Sequence, residues 1–277
     1  VVHFFMKKLS VPFYVSTNNK NMRCLQVFVE LFNKFTNKSE LIILGYDKPD
    51  FELTENCKFE SMGTQGPVEE WSTDLRKYFI KYAPKYFIYG TEDTFFYKEM
   101  NHDYINYLTE VVKLNHQIGK VQLCDVAEEN GFAIEENRHY KSRILTNVNV
   151  PELNIDFDMH VLMKSNYSIN CQLSLWNKEF LLKYLEDGYS PWDFEIKGSI
   201  AAYDETEWYS IILDRQFGIF KKEGFSGGLD IKEQWTYKEY WFDKLENEWL
   251  KTQISEWGNP ILAGPNGQFG TSKISER

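Results

Sequence analysis

The 277-residue sequence contains no apolar run approaching the ~18 residues that a membrane-spanning helix requires, so the integral helical membrane class is excluded. Cysteine is sparse. Cys24, Cys57, Cys124 and Cys171 are scattered, form no CxxC pair and have no histidine at zinc spacing. This usage argues against a disulfide scaffold and for free thiols in a reducing, cytoplasmic compartment. Positive charge is in deficit, with 31 Lys and Arg against 41 Asp and Glu and a net charge of −10. That balance speaks against a non-specific polyanion binder, because phosphate backbones are gripped mainly by Lys and Arg. No GxGxxG, Walker loop or GxSxG is present, which lowers dinucleotide, P-loop and serine-hydrolase readings. His3, His102, His116, His139 and His160 form no HxH or HExxH pattern. The opening residues lack the charged-then-apolar order of a signal peptide. Met6, followed by two lysines, reads as a natural start, with residues 1–5 an upstream extension.

What the sequence has in surplus is aromatic side chains, at 17% of residues, which can line a core or form floors for flat bases and sugar rings. The first half alternates in period. Residues 11–17, 40–46, 57–63, 85–90 and 120–126 read as strands, and 21–36, 68–83 and 101–117 as helices with apolar residues on one stripe. Strand–helix alternation at this spacing predicts an α/β sheet, mostly parallel and flanked by helices. The second half is less regular. Residues 129–166 give mixed signals, 167–177 alternates like a strand, 178–188 is a short helix, and 190–205 opens another helix before a strand at 207–213. A glycine-rich loop at 221–230 and an amphipathic helix at 236–253 precede a tail from 258 that reads as frayed. No linker separates independent domains. Residues 6–127 and 128–257 read as two halves of one domain, and 258–277 as a flexible tail.

In open parallel sheets, ligands bind beyond the carboxyl ends of the strands. Three strand ends are therefore candidates: Ser16-Thr17-Asn18-Asn19, Tyr46-Asp47, and Glu92-Asp93. Two hard carboxylates at a strand end suit Mg²⁺ or Mn²⁺, which is held by one or two carboxylates plus phosphate oxygens. The plainer reading is that they cap a turn. The second constellation is Ser190-Pro191-Trp192-Asp193-Phe194-Glu195. Ser190 suits an N-cap, Pro191 the first helical position, and Asp193 the capping-box position three residues after the cap. Glu195 is not explained by capping and shares a helical face with Trp192. An indole beside a carboxylate can hold a sugar ring and take a proton from its hydroxyl. Asp156 and Asp158 spell a D-x-D but follow an irregular segment with no convincing strand before them.

Taken in order, the strand ending in small polar residues, the second closing in Gly45-Tyr46, the stretch 68–75, the turn 89–96 and the long segment 169–199 resemble a GT-A-type nucleotide-diphospho-sugar glycosyltransferase. More narrowly, they look like an uncharacterised bacterial and phage-borne branch with an acidic pair after the third main strand and a late W-[DE]-x-E segment. The resemblance spans residues 12–203 and implies a single GT-A-like (Rossmann-like) domain with a less regular acceptor-side part. It would make Asp93, with Glu92, the holder of Mn²⁺ or Mg²⁺ and the donor diphosphate. Thr17, Asn18 and Tyr46 would flank the nucleoside, with Trp71 and Arg76 at its edge. Glu195 or Asp193 would be the acceptor-activating carboxylate, and Trp192 would contact the acceptor. This chain reads Thr91-Glu92-Asp93-Thr94 rather than an Asp-x-Asp triplet, so Lys221 and Lys222 in the glycine-rich loop are alternative partners for the diphosphate.

The function so implied is an inverting hexosyl or pentosyl transfer from a nucleotide-sugar donor such as a UDP-sugar. The acceptor is a glycan hydroxyl or, less favourably for so acidic a chain, a hydroxymethylated DNA base. A glycoside hydrolase drawing on the same carboxylates and a non-catalytic sugar- or nucleotide-binding protein are the alternatives.

Overall fold

A computed structural model of the chain describes residues 8–96, 99–123, 142–150, 155–162, 164, 167–213 and 242–257. The first half follows its periodicity closely. Strand β1 (Phe13–Ser16), helix α1 (Met22–Phe35), β2 (Leu41–Gly45), β3 (Cys57–Ser61), α2 (Trp71–Tyr82), β4 (Tyr86–Thr91), α3 (His102–Leu114) and β5 (Ile118–Gln122) succeed one another. Buried Leu25, Phe28, Val29 and Phe32 form the stripe that seats α1 on the sheet. Alternation along β1 sends Phe13 and Val15 into one core and Tyr14 into the other. Thus the sheet is covered on both faces, as a parallel sheet requires.

The second half departs further from expectation. Residues 142–150 and 155–162, which carry mixed signals, form a long antiparallel pair, β6 (Ser142–Val150) and β7 (Ile155–Leu162). Asp156 and Asp158 therefore lie within a strand rather than beyond one. Only the last four residues of 167–177 are strand, β8 (Ser174–Asn177), and 167–173 is an extended strap. The polar partners of its side chains, Lys120 and Gln122, are buried on β5, a contact that alternation cannot reveal. Helices α4 (Lys178–Tyr184) and α5 (Pro191–Ala201) and strand β9 (Tyr209–Leu213) follow. The terminal helix α6 (Glu248–Trp257) starts well after Thr236, with a short 3-10 turn at Phe242–Lys244 before it. Gly119 is the second residue of β5, which begins two residues earlier than its expected start at 120. The ring of Phe180 fills the space its Cβ would occupy, 2.2 Å away. The glycine-rich loop at 221–230 and the tail from 258 lie outside the described residues.

Among the described residues nine strands join one sheet in the order β3-β2-β1-β4-β8-β5-β9-β7-β6. The block β3-β2-β1-β4 is parallel throughout. Strand β8 runs antiparallel between β4 and β5, and β7 runs antiparallel to β9 and β6. Every other strand points the same way, so the expected α/β architecture with a mostly parallel sheet is present. The chain leaves β1 toward β2 and β3 on one side, then returns to lay β4 on the other. That reversal is a topological switch point, where a crevice opens beyond the strand ends.

Candidate functional site

The switch point places the carboxyl ends of β1 and β4 side by side. Ser16 pairs with Thr91 in register, and the Ser16 hydroxyl meets the Tyr89 phenol at 2.9 Å in the core. Thr17 and the Glu92-Asp93 turn therefore lie together beyond these strand ends. Asn18 is occupied locally, its side-chain oxygen accepting from the Lys20 N–H at 2.9 Å. Asn19 bridges toward β2 through Asp47, donating from Nδ2 at 2.6 Å and accepting the Asp47 N–H at 3.0 Å. Tyr46 is buried at the end of β2, and its hydroxyl donates to Asp74 at 3.3 Å.

Glu92 and Asp93 do not behave as ordinary capping acids. Glu92 is only 3% exposed. Burial pushes its carboxyl up to about 8, with the adjacent Asp93 charge acting in the same direction. The Asn21 and Thr17 side chains favour its charged form, yet its Oε1 is buried without a hydrogen-bond partner. The Thr94 hydroxyl in the same turn is likewise buried and unpartnered. Asp93 retains partial solvent access, accepts the Thr91 hydroxyl at 2.6 Å, and is raised by burial. An unpartnered buried carboxylate oxygen beside a second, accessible carboxylate is an unbalanced negative charge, and such a pair is satisfied by a proton or a cation.

The donor set fits Mg²⁺ or Mn²⁺ in part. Among the described residues no group of three His, Cys, Asp or Glu could hold a metal on its own. Two hard carboxylates suffice only when phosphate oxygens and water complete the shell, as they do for Mg²⁺ at phosphate sites.

The α5 segment divides its two acids. Ser190 caps the helix and Asp193 closes a capping box. The Asp193 N–H donates to Ser190 Oγ at 3.1 Å, while Asp193 Oδ2 accepts the Ser190 hydroxyl at 2.8 Å and its N–H at 3.3 Å. Lys197 Nζ lies 2.8 Å from the other Asp193 oxygen. The hydrogen bonds to Lys197 and Ser190 hold Asp193 below the usual carboxylate range. Glu195, two residues on, turns inward. It is 9% exposed, and its Oε1 accepts the Cys171 N–H at 2.9 Å. Burial raises its carboxyl to about 7, opposed by the Cys171 amide and Lys120 and assisted by the charge of Asp93. Asp93 and Glu195 thus belong to one electrostatic neighbourhood, although they come from different halves of the chain. Trp192, in the first turn of α5, is only partly buried.

Between them runs the 167–173 strap, pinned to β4 by the Thr91 N–H donating to Cys171 O at 3.2 Å. Close approach is possible because Gly90 lacks a side chain: a Cβ there would sit 2.9 Å from Leu173 Cα. Sequence reading missed this strap and its supports, Lys120, Gln122 and Asn170. The available signal was polar residues inside an apolar central strand, where an unpartnered lysine or glutamine is costly.

Other expected contributors are held elsewhere. Trp71 is buried in the core against Phe194, ring centroids 5.9 Å apart. Arg76 donates to the carbonyl oxygens of Leu182 and Leu185 at the end of α4 and lies 3.8 Å from Asp187. Both were expected at the nucleoside edge, and these are the contacts they make within the fold. Lys221 and Lys222 lie outside the described residues. A cavity of about 330 Å³ is lined by Ser168, Phe180, Trp208 and Tyr209, among others, but by none of Glu92, Asp93 and Glu195. No helix of the described residues is long and apolar enough to cross a membrane.

No family model and no curated protein matches the chain. Among solved structures it is similar to S. aureus TarS residues 1–349, at 11% identity and a TM-score of 0.42, covering 89% of this chain and 70% of that one. The same TarS segment in complex with UDP gives 12% identity and a TM-score of 0.43 over the same shares. A likeness this loose assigns neither family nor ligand.

Proposed function

We propose that the chain is a GT-A-type nucleotide-diphospho-sugar glycosyltransferase working at the switch-point crevice. The observation that carries this reading is the pairing, in one neighbourhood beyond the strand ends, of an accessible carboxylate on β4's turn with a buried carboxylate on α5 raised to about 7. The first is where a donor diphosphate and its cation belong. The second is a base near its own pKa at neutral pH, where general-base catalysis is most effective.

In this reading Thr17, Asn18 and Tyr46 contact the nucleoside, and Asp93 with Glu92 faces the diphosphate. A divalent cation held by that pair would supply Lewis-acid stabilisation of the departing diphosphate. Glu195 takes the proton from the acceptor hydroxyl as its oxygen bonds to the anomeric carbon. The bond from that carbon to the diphosphate oxygen breaks, and the nucleoside diphosphate leaves with the electron pair. Attack from the face opposite the leaving group inverts the anomeric centre. Trp192, partly exposed in the first turn of α5, offers an apolar face to the acceptor sugar. Asp193, closed in its capping box, has no part in the chemistry.

A panel of nucleoside diphosphates and their sugars, screened by thermal shift with and without Mn²⁺, tests the donor site. A true ligand at 100 times its dissociation constant raises stability by about 2.7 kcal/mol. Release of free nucleoside diphosphate from the sugar donor marks transfer. Sugar cleavage from a plain glycoside without any nucleotide would make the protein a hydrolase instead, and binding without turnover a non-catalytic relative.

A further inference from the structure

Lysine is rarely buried without a reason, and Lys120 on the central strand β5 is wholly buried. Its ammonium donates to Asn170 Oδ1 at 2.8 Å and to Ser168 O at 3.3 Å, and lies 5.1 Å from the centre of the Trp176 ring. Asn170 carries the arrangement onward. Its Nδ2 donates to Gln122 Oε1 at 2.9 Å and Tyr167 O at 2.8 Å, and its Oδ1 also accepts the Gln172 N–H at 3.1 Å. Gln122 and Gln172 close the group at 2.6 Å. From the other side, Ser199 on α5 holds Ile169 through both its N–H and its carbonyl, at 3.1 and 3.0 Å. The strap is therefore suspended between polar side chains of a central strand and a helix, with the Cys171 N–H at its middle aimed at Glu195.

Stability alone gives no account of this design. An apolar residue at position 120 would fill a core position without the cost of dehydrating an ammonium group. Among the described contacts, the lysine's donors are fixed on the strap, at Asn170 Oδ1 and Ser168 O.

We propose that Lys120 is a positioning residue for Glu195: through Asn170 and Ser168 it fixes the strap whose Cys171 amide orients the Glu195 carboxylate. The proposal rests on the reading of Glu195 as the acceptor base. Its structural part is separable. The positive charge opposing the rise of the Glu195 carboxyl agrees with this geometry.

The test is Lys120→Met in the full chain, with Asn170→Ala as a second variant should the first not fold. Amide exchange is read at Cys171 and, as a control, along β1. The expected result is exchange at Cys171 faster by at least about tenfold, the scale of one lost buried polar contact, with β1 unchanged. In the transfer assay kcat falls at least about tenfold, while KM for the nucleotide-sugar stays within about twofold, because an interaction felt only in the transition state is lost. Cys171 exchange unchanged in a folded variant overturns the proposal, whatever the activity. So does a rise in KM with kcat retained. Failure of the proposed function looks different: the wild type releases no nucleoside diphosphate, or Glu195→Gln keeps full turnover, and in either case the exchange result still decides whether Lys120 fixes the strap.

Discussion

Two acidic turns of this chain look alike in sequence and differ in physics. At Ser190–Asp193 a small polar residue precedes an acid, and every oxygen of that acid finds a donor: the Ser190 hydroxyl and amide on one side, Lys197 on the other. At Thr91–Asp93 a small polar residue again precedes acids, but there the Glu92 oxygen is buried and unpartnered, and both carboxyls are raised. The first turn is complete as it stands. The second is stable as folded only with something else present, a proton or a cation. Glu195 stands between the two cases, on the helix of the first turn but in the electrostatic neighbourhood of the second. An acid's role is set by what surrounds its oxygens, not by its place in a motif.

The comparison is broken most sharply by exchanging carboxylates for amides. Glu195→Gln should lower turnover by at least ~10²-fold, the low end for a lost general base, while nucleotide binding persists. Asp193→Asn should leave turnover near wild type, so a dead Asp193→Asn protein with a normal melt would reverse the assignment. Next in size, Asp93→Asn should abolish the dependence of nucleoside-diphosphate binding on Mn²⁺, so that the metal no longer adds to the stabilisation the nucleotide gives. Calorimetry showing unchanged manganese dependence would end the metal role of Asp93.

Stability against pH sharpens the same contrast. Glu92 is raised to about 8 in the folded protein, so it holds a proton there that the unfolded chain releases near its ordinary value. Its contribution is fully present below the unfolded pKa and is lost as pH rises through about 8. Glu92→Gln should therefore melt above wild type at pH 9, by at least about 1 kcal/mol, and the gap should close toward pH 5. Equal melts at pH 9 without divalent ions would mean that the carboxylate is already compensated. The smallest effect belongs to the completed turn: Asp193→Asn should cost on the order of 1 kcal/mol, as for a weakened cap, measured in the same melts.

Much of the parallel half was legible in the sequence because apolar stripes and short buried runs follow the helix and strand periods. Helix α1 and strands β1, β2 and β4 fall within a residue or two of their expected bounds. The candidate site was legible where a local rule applied. Strand ends locate Thr17 and Glu92-Asp93, and the S-P-x-D signature separates Asp193 from Glu195. What escaped was long-range. The alternation of 167–177 reads as one strand, yet Asn170 and Gln172 answer Gln122 across 48 and 50 residues of chain and pull the segment off the ladder. The packing of α2 against α4 and α5 seats Trp71 on Phe194 and Arg76 on the end of α4, and periodicity carries no record of a partner helix. Strands β6 and β7 were obscured because their polar residues break the apolar pattern on which the reading depends.

Strand β8 enters the sheet between β4 and β5, both made long before it. The Thr91–Cys171 contact that it brings with it spans 80 residues, and the Lys120–Asn170 contact 50. Contacts so far apart in sequence close late, since chain entropy must be overcome before they are rewarded. The crevice is thus expected to have a history as well as a shape. In refolding followed by pulsed amide labelling, protection should reach β1 and β2 first and Cys171 last, so that the protein owns a sheet before it owns a site.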